Sequence, residues 1–125
     1  MIALDASALL AFLLRERGHE RVGELLPAAC ISTVNFSEVL GRFARVGQDV
    51  TIIAKKLLST PLELVEFSTQ QAILAAALVP ATRHEGLSLG DRACLALARE
   101  RRVRAVTADE AWLGLQVGVE IEVIR

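Results

Sequence analysis

Short apolar runs alternate with longer stretches that carry apolar residues at helical spacing, from one end of the chain to the other. Met1-Ile2-Ala3-Leu4 is apolar on both faces of a strand and too short for a helix, which predicts a central parallel strand ending at Asp5. Ala6 to Leu14 follows as a helix, with Gly18 as its stop. Glu20 to Leu26 reads as a second short helix ended by Pro27, and Ala29 to Ser32 as a second strand. Ser32-Thr33 offers an N-cap to a third helix, which carries Val34, Phe36, Val39, Leu40 and Phe43 inward and closes at Gly47. Val50 to Leu58 is helical, with Lys55 and Lys56 outward. Leu62 to Phe67 alternates, and Pro61 at its start predicts a strand near a sheet edge. Thr69 to Val79 is an alanine-rich helix, Pro80 to Leu89 a loop, and Asp91 to Arg101 a helix with Ala93, Leu95, Ala96 and Ala98 inward. Arg104 to Thr107, a short helix over Asp109 to Leu113, and a last strand from Val119 to Ile124 complete the chain.

Strands alternating with helices predict an α/β three-layer sandwich around a five-stranded, mostly parallel sheet. The 125 residues make one domain, 1–125, with no internal repeat, linker or low-complexity tract.

Right-handed crossovers bring every strand-to-helix junction to one edge of such a sheet. Four carboxylates fall at these junctions: Asp5 ends the first strand, Glu38 lies one turn into the third helix, Asp91 follows Gly90, and Asp109 follows the strand ending at Thr107. Asn35 precedes Glu38 by three residues and shares its helical face. Oxygen-only ligands without histidine or cysteine call for a hard divalent cation, Mg²⁺ or Mn²⁺. Each acid also has a plainer reading. Asp91 and Asp109 suit helix N-termini, and Glu38 suits a solvated helix face. Asp5 does not: a carboxylate against the core needs a partner. Spacing leaves both Asp109 and Glu110 available as the last acid.

Composition adds constraints. The chain is 53% hydrophobic and only 4% aromatic, so its core is aliphatic and base-stacking platforms are scarce. A net charge of −1 argues against bulk electrostatic binding of nucleic acid. The basic residues are nonetheless nearly all arginine, suited to bidentate phosphate contact, and Arg42, Arg45, Arg83 and Arg92 are candidates. Cys30 and Cys94 lie in apolar segments without metal-ligand spacing. His19 and His84 are expected at the surface, and Trp112 as a packing anchor. No run reaches the ~18 apolar residues of a membrane helix, and no basic stretch precedes an apolar one. The expectation is a soluble, cytoplasmic protein.

Met1-Ile2-Ala3-Leu4-Asp5-Ala6-Ser7, Ile31-Ser32-Thr33-Val34-Asn35-Phe36-Ser37-Glu38-Val39, Leu87-Ser88-Leu89-Gly90-Asp91-Arg92-Ala93-Cys94-Leu95-Ala96-Leu97-Ala98 and Val106-Thr107-Ala108-Asp109 stand in that order along the chain. Together they resemble the PIN domain, most closely the VapC-type toxins of bacterial type II toxin–antitoxin pairs. The resemblance implies an endoribonuclease whose metal-binding acids are Asp5, Glu38, Asp91 and Asp109, with Ser7, Asn35 and Thr107 supporting them through hydrogen bonds. It implies Mg²⁺ or Mn²⁺ as cofactor, hydrolysis of tRNA or rRNA phosphodiesters, a homodimer, and a small antitoxin that pushes a basic side chain into the acidic site. Two rivals stand beside it. An α/β phosphatase would place an aspartyl nucleophile at Asp5 and a second acid two residues on, where this chain has Ser7. A catalytically silent PIN-like scaffold would have no need of four acids.

Overall fold

Five strands, every neighbouring pair parallel, form the sheet in the computed structural model, which describes residues 1–125. They are β1 (Ile2–Leu4), β2 (Ala29–Ser32), β3 (Glu63–Val65), β4 (Arg104–Thr107) and β5 (Ile121–Val123), in the order β3-β2-β1-β4-β5. Seven α-helices join them: α1 (Ala6–Leu13), α2 (His19–Leu25), α3 (Thr33–Arg45), α4 (Val50–Leu58), α5 (Thr69–Ala77), α6 (Val79–Thr82) and α7 (Leu89–Arg101). The chain runs outward from β1 through β2 to β3, then returns to the other side of β1 for β4 and β5. The strand order therefore reverses between β1 and β4, where open parallel sheets leave a crevice at their carboxyl ends.

Both faces of the sheet are buried, and the period-2 alternation of strand side chains divides the core in two. Ile2, Leu4, Ile31 and Val106 join Leu9, Val22, Val39 and Leu57 on one face. Ala3, Cys30 and Ala105 join Cys94, Leu95, Leu97 and Trp112 on the other. Ala3 is in register with both Cys30 and Ala105, so three small side chains form a row across the sheet. That row lets α7 approach closely enough for the Cys94 thiol to reach the Ala3 carbonyl at 3.9 Å. Six consecutive residues of α7, Ala93 to Ala98, are buried because the helix touches the sheet, α3 and α5 together.

Several boundaries differ from the sequence reading. The strand over Leu62–Phe67 shrinks to Glu63–Val65, at the sheet edge as expected, and the last strand to Ile121–Val123. Pro27 does not simply stop α2; it sits inside a 3₁₀ turn, Leu26–Ala28, where its missing N–H costs little. The segment expected as a loop holds α6, with Pro80 in its first turn, and a 3₁₀ turn at Arg83–Glu85. The short helix after β4 is a 3₁₀ helix, Glu110–Gly114, with Asp109 as its cap. After α1, Arg15 takes a left-handed conformation (φ 54°) in place of the expected glycine stop. Gly18 takes another just before α2 (φ 95°), where a Cβ would lie 2.7 Å from the Ile124 carbonyl oxygen. His19 is partly covered, its Nε2 2.9 Å from Glu20, whereas His84 is exposed. Trp112 is fully buried, as expected of a packing anchor. No helix is long and apolar enough to cross a membrane.

Candidate active site

Asp5 leaves β1 at the reversal point and is only 3% exposed. Its Oδ2 accepts hydrogen bonds from the Ser7 hydroxyl at 2.6 Å and from the Thr107 hydroxyl at 2.9 Å. Ser7 Oγ also accepts from the Ala108 amide at 3.0 Å, and Thr107 Oγ1 from the Asp109 amide at 3.1 Å. The two hydroxyls thereby tie the end of β1 to the end of β4 and hold one carboxylate oxygen in place. Oδ1 takes no hydrogen bond, and Asp5 lines a cleft of about 440 Å³. Burial pushes the Asp5 carboxyl up to about 6, and the negative charges of Asp91 and Glu38 add to the rise against the two hydroxyl bonds. A carboxylate here lacks counter-charge from the chain itself.

Glu38 is placed by α3. Ser32 caps that helix by accepting from the Val34 amide at 3.2 Å. One turn on, buried Asn35 donates through Nδ2 to Glu38 Oε1 and to the Gly90 carbonyl, both at 2.9 Å. Asn35 thus joins α3 to the first turn of α7 and aims the Glu38 carboxylate at it. Gly90 is required for this contact: any Cβ there would overlap the Glu38 carboxyl group. The Asn35 Oδ1 is sealed without a partner.

Asp91 does not open α7 as expected. The helix starts at Leu89 behind Ser88, and Asp91 is its third residue. Ser88 Oγ accepts from the Asp91 amide at 3.2 Å, and Asp91 Oδ2 accepts from the Ser88 amide at 2.8 Å, a reciprocal capping box. The cap uses one carboxylate oxygen, and Asp91 still lines the cleft with Asp5 and Glu38. The fourth acid is elsewhere. Asp109 is exposed, caps the 3₁₀ helix by accepting from the Ala111 amide at 3.0 Å, and does not line the cleft; neither does its neighbour Glu110.

The structure thus brings together Asp5, Glu38 and Asp91 with the supports Ser7, Asn35 and Thr107, and leaves Asp109 on the rim. Of the arginines, Arg42 and Arg45 line the cleft beside Ser7, Leu10 and Gly41, whereas Arg83 and Arg92 do not. Arg92 is turned inward to donate to the Leu87 carbonyl at 2.8 Å. The donor set fits a hard divalent cation: the cleft offers carboxylate oxygen, no thiol or imidazole, and a buried acid held at an unfavourable charge. In the present arrangement no three acidic side chains converge closely enough to hold an ion. Binding would have to draw the three carboxylates together.

Several solved structures share this fold along nearly its whole length. A toxin–antitoxin complex from Klebsiella pneumoniae is similar over 100% of this chain and 98% of its own, at 19% identity and a TM-score of 0.77. VapBC2 from Rickettsia felis, solved bound to a DNA fragment from its promoter, matches 98% of each chain at 18% identity and a TM-score of 0.74. VapC20 of Mycobacterium tuberculosis, described as a Sarcin-Ricin loop cleaving toxin, matches 94% of this chain and 98% of its own at 16% identity and a TM-score of 0.74. Among curated protein sequences nothing matches. The model of the PIN domain family matches residues 2–115, nearly the whole length, and the chain belongs to that family.

Proposed function

We propose that this protein is a metal-dependent endoribonuclease acting as the toxin of a toxin–antitoxin pair. The observation that carries the reading is Asp5: a buried carboxylate, oriented by two hydroxyls, opening onto a cleft shared with Glu38 and Asp91. Those three acids would hold Mg²⁺ or Mn²⁺, and Asp109, whose cap engages only Oδ1, would join them through its other carboxylate oxygen. Such an ion, when bound, neutralises charge on the scissile phosphate and acidifies water. The residues of the chain do the rest. Ser7 and Thr107 keep Asp5 from turning away, and Asn35 fixes Glu38. Glu38 and Asp91 are the acids positioned to orient an attacking water and accept its proton, with the 3′-oxygen as leaving group.

RNA, with tRNA or rRNA expected, is supported as the substrate by the description of the Mycobacterium tuberculosis neighbour. The toxin role and a small antitoxin partner are supported by the neighbours solved as toxin–antitoxin complexes. A homodimer is part of the same reading, and Ile52, Leu58 and Ile73 on α4 and α5 are exposed apolar residues available for contacts between chains. Light scattering at micromolar concentration should give twice the chain mass; a clean monomer would remove the dimer. For the enzyme, pooled RNA should be cut in Mn²⁺ or Mg²⁺ and left intact in EDTA. Absence of cutting under all metal conditions, by a folded protein, would leave the scaffold reading in its place.

Gly90 supplies a separate check on Glu38. Gly90→Ala should leave the fold intact, because alanine suits a helix better than glycine by about 1 kcal/mol. The new methyl must displace the Glu38 carboxylate, so cleavage should fall roughly tenfold, one order being about 1.4 kcal/mol of transition-state stabilisation. Wild-type rates in this variant would show that the Glu38 position is immaterial.

A further inference from the structure

The cleft is not only acidic. Asp5, Glu38 and Asp91 gather at one end, and Gly41, Arg42 and Arg45 continue it along α3. Glu38, Gly41, Arg42 and Arg45 are spaced i, i+3, i+4 and i+7, which puts all four on one face of the helix. Across from them α1 contributes Ala6, Ser7 and Leu10. The result is a trough between α1 and α3, with carboxylates at its head and two guanidinium groups along its wall.

Two features of the trough have no explanation within the chain. The first is Gly41, in the interior of the thirteen-residue helix α3, where glycine costs stability. Gly23 lies against the Phe12 ring and Gly90 against Glu38, but a Cβ on Gly41 would meet nothing within 4 Å. No packing inside the molecule calls for its small size. The second is that neither Arg42 nor Arg45 makes an ion pair, although Glu38 stands four residues before Arg42 in the favourable helical orientation. Glu38 is engaged by Asn35 instead. Their position in the last turns of α3 suits the helix dipole, which accounts for positive charge there but not for its opening onto the trough.

We infer that α3 is the rail on which the RNA strand lies: the strand crosses the helix at Gly41, and Arg42 and Arg45 hold phosphates next to the one that is cut. This rests on the ribonuclease reading and adds to it which surface takes the strand. Bare helix backbone at Gly41 admits a sugar-phosphate chain without a clash. Two unpaired guanidinium groups one turn apart, about 4.5 Å along the axis, supply forked donors for phosphate oxygens. Phosphate contacts of this kind position a strand without reading its sequence. They also answer how a protein of net charge −1 holds a polyanion: locally, beside the acids.

The test uses the whole protein and a short fluorescent single-stranded RNA, with binding followed by anisotropy in Ca²⁺ and cleavage followed in Mn²⁺. The Arg42→Gln/Arg45→Gln double variant should bind at least tenfold more weakly. Its affinity should also depend less on salt, the slope of log affinity against log salt flattening by about 1.4 for two lost contacts. Gly41→Leu should weaken binding about tenfold with the slope unchanged, since it removes room and no charge. Gly41→Ala should melt above wild type, which separates occlusion from misfolding. Arg17→Gln, an exposed charge that does not line the cleft, is the control for general charge and should shift neither quantity appreciably. Wild-type affinity and slope in the double variant would overturn the rail and leave a protein partner as the occupant of this face. A wild type that binds but never cuts would remove the nuclease reading and still test the rail. A wild type that neither binds nor cuts single-stranded RNA would remove both.

Discussion

Asp5→Asn should lower metal-dependent cleavage by at least about a hundredfold, the scale on which perturbing metal-site groups costs activity, and should do so without unfolding the protein. The side chain is nearly isosteric, and an amide carbonyl can accept the hydroxyl protons of Ser7 and Thr107 as Oδ2 does now. What disappears is the negative charge facing the cleft. The comparison that gives the result meaning is Asp109→Asn, where the substituted residue can still cap the 3₁₀ helix through its carbonyl oxygen. If Asp109 joins the site during turnover, that variant loses activity alongside Asp5→Asn; if it is a cap alone, its rate stays near wild type. Full activity in a folded Asp5→Asn variant would sink the assignment of the buried carboxylate to catalysis.

In the absence of metal the same residue should make the protein less stable as pH rises from about 4 to about 6. The folded-state pKa of Asp5 is raised from 3.8 to about 6, chiefly by burial. Below pH 4 the acid is protonated in both the folded and unfolded states, and burial carries no charge penalty. Between the two values the unfolded chain has released the proton while the folded one retains it, so stability falls with pH. Above about 6 the loss from this group is complete. A displacement of about 2 units corresponds to about 3 kcal/mol, a large share of a domain's ordinary stability. Asp5→Asn removes the titrating group, so the metal-free variant should melt above wild type at pH 7 to 8 and lose that advantage near pH 4.

Metal should act in the opposite direction on wild type, adding about 2.7 kcal/mol when free ion stands at a hundred times its dissociation constant. The variant should respond far less. Melting curves in EDTA and in Mn²⁺, at pH 4 and pH 7.5, contain the whole comparison. An unchanged pH profile in Asp5→Asn would mean that the carboxylate is solvated better than its burial implies. A wild type indifferent to Mn²⁺ would remove the cation from the site. Of the three acids that line the cleft, Asp5 alone is buried, while Asp91 has one carboxylate oxygen engaged in its capping box.

The alternation of short apolar runs with amphipathic stretches was enough to establish an α/β sandwich on a parallel sheet, because strand and helix periods differ and because parallel strands require crossovers. It also placed Asp5 at the carboxyl end of the central strand, since an isolated charge at the end of an apolar run has few other places to go. The same reasoning brought Asn35 and Glu38 to one helical face, as three residues make most of a turn. Local spacing could not decide which carboxylates meet. Asp91 and Asp109 look alike in one dimension, each an acid beside a strand or loop end and the start of a helix; in the fold Asp91 lines the cleft and Asp109 caps a rim turn. Nor could it separate Arg42 and Arg45 from Arg92, which turns inward to a carbonyl. The surroundings of Gly90 and Gly41 exist only in the fold, which puts the Glu38 carboxylate against the first and an open trough against the second. These outcomes depend on where α3 and α7 meet at the end of the sheet, and the row of small residues Cys30, Ala3 and Ala105, from three different strands, lies on the face against which α7 packs. Contacts so distant along the chain leave no period in the sequence, which is why only the tertiary structure could settle them.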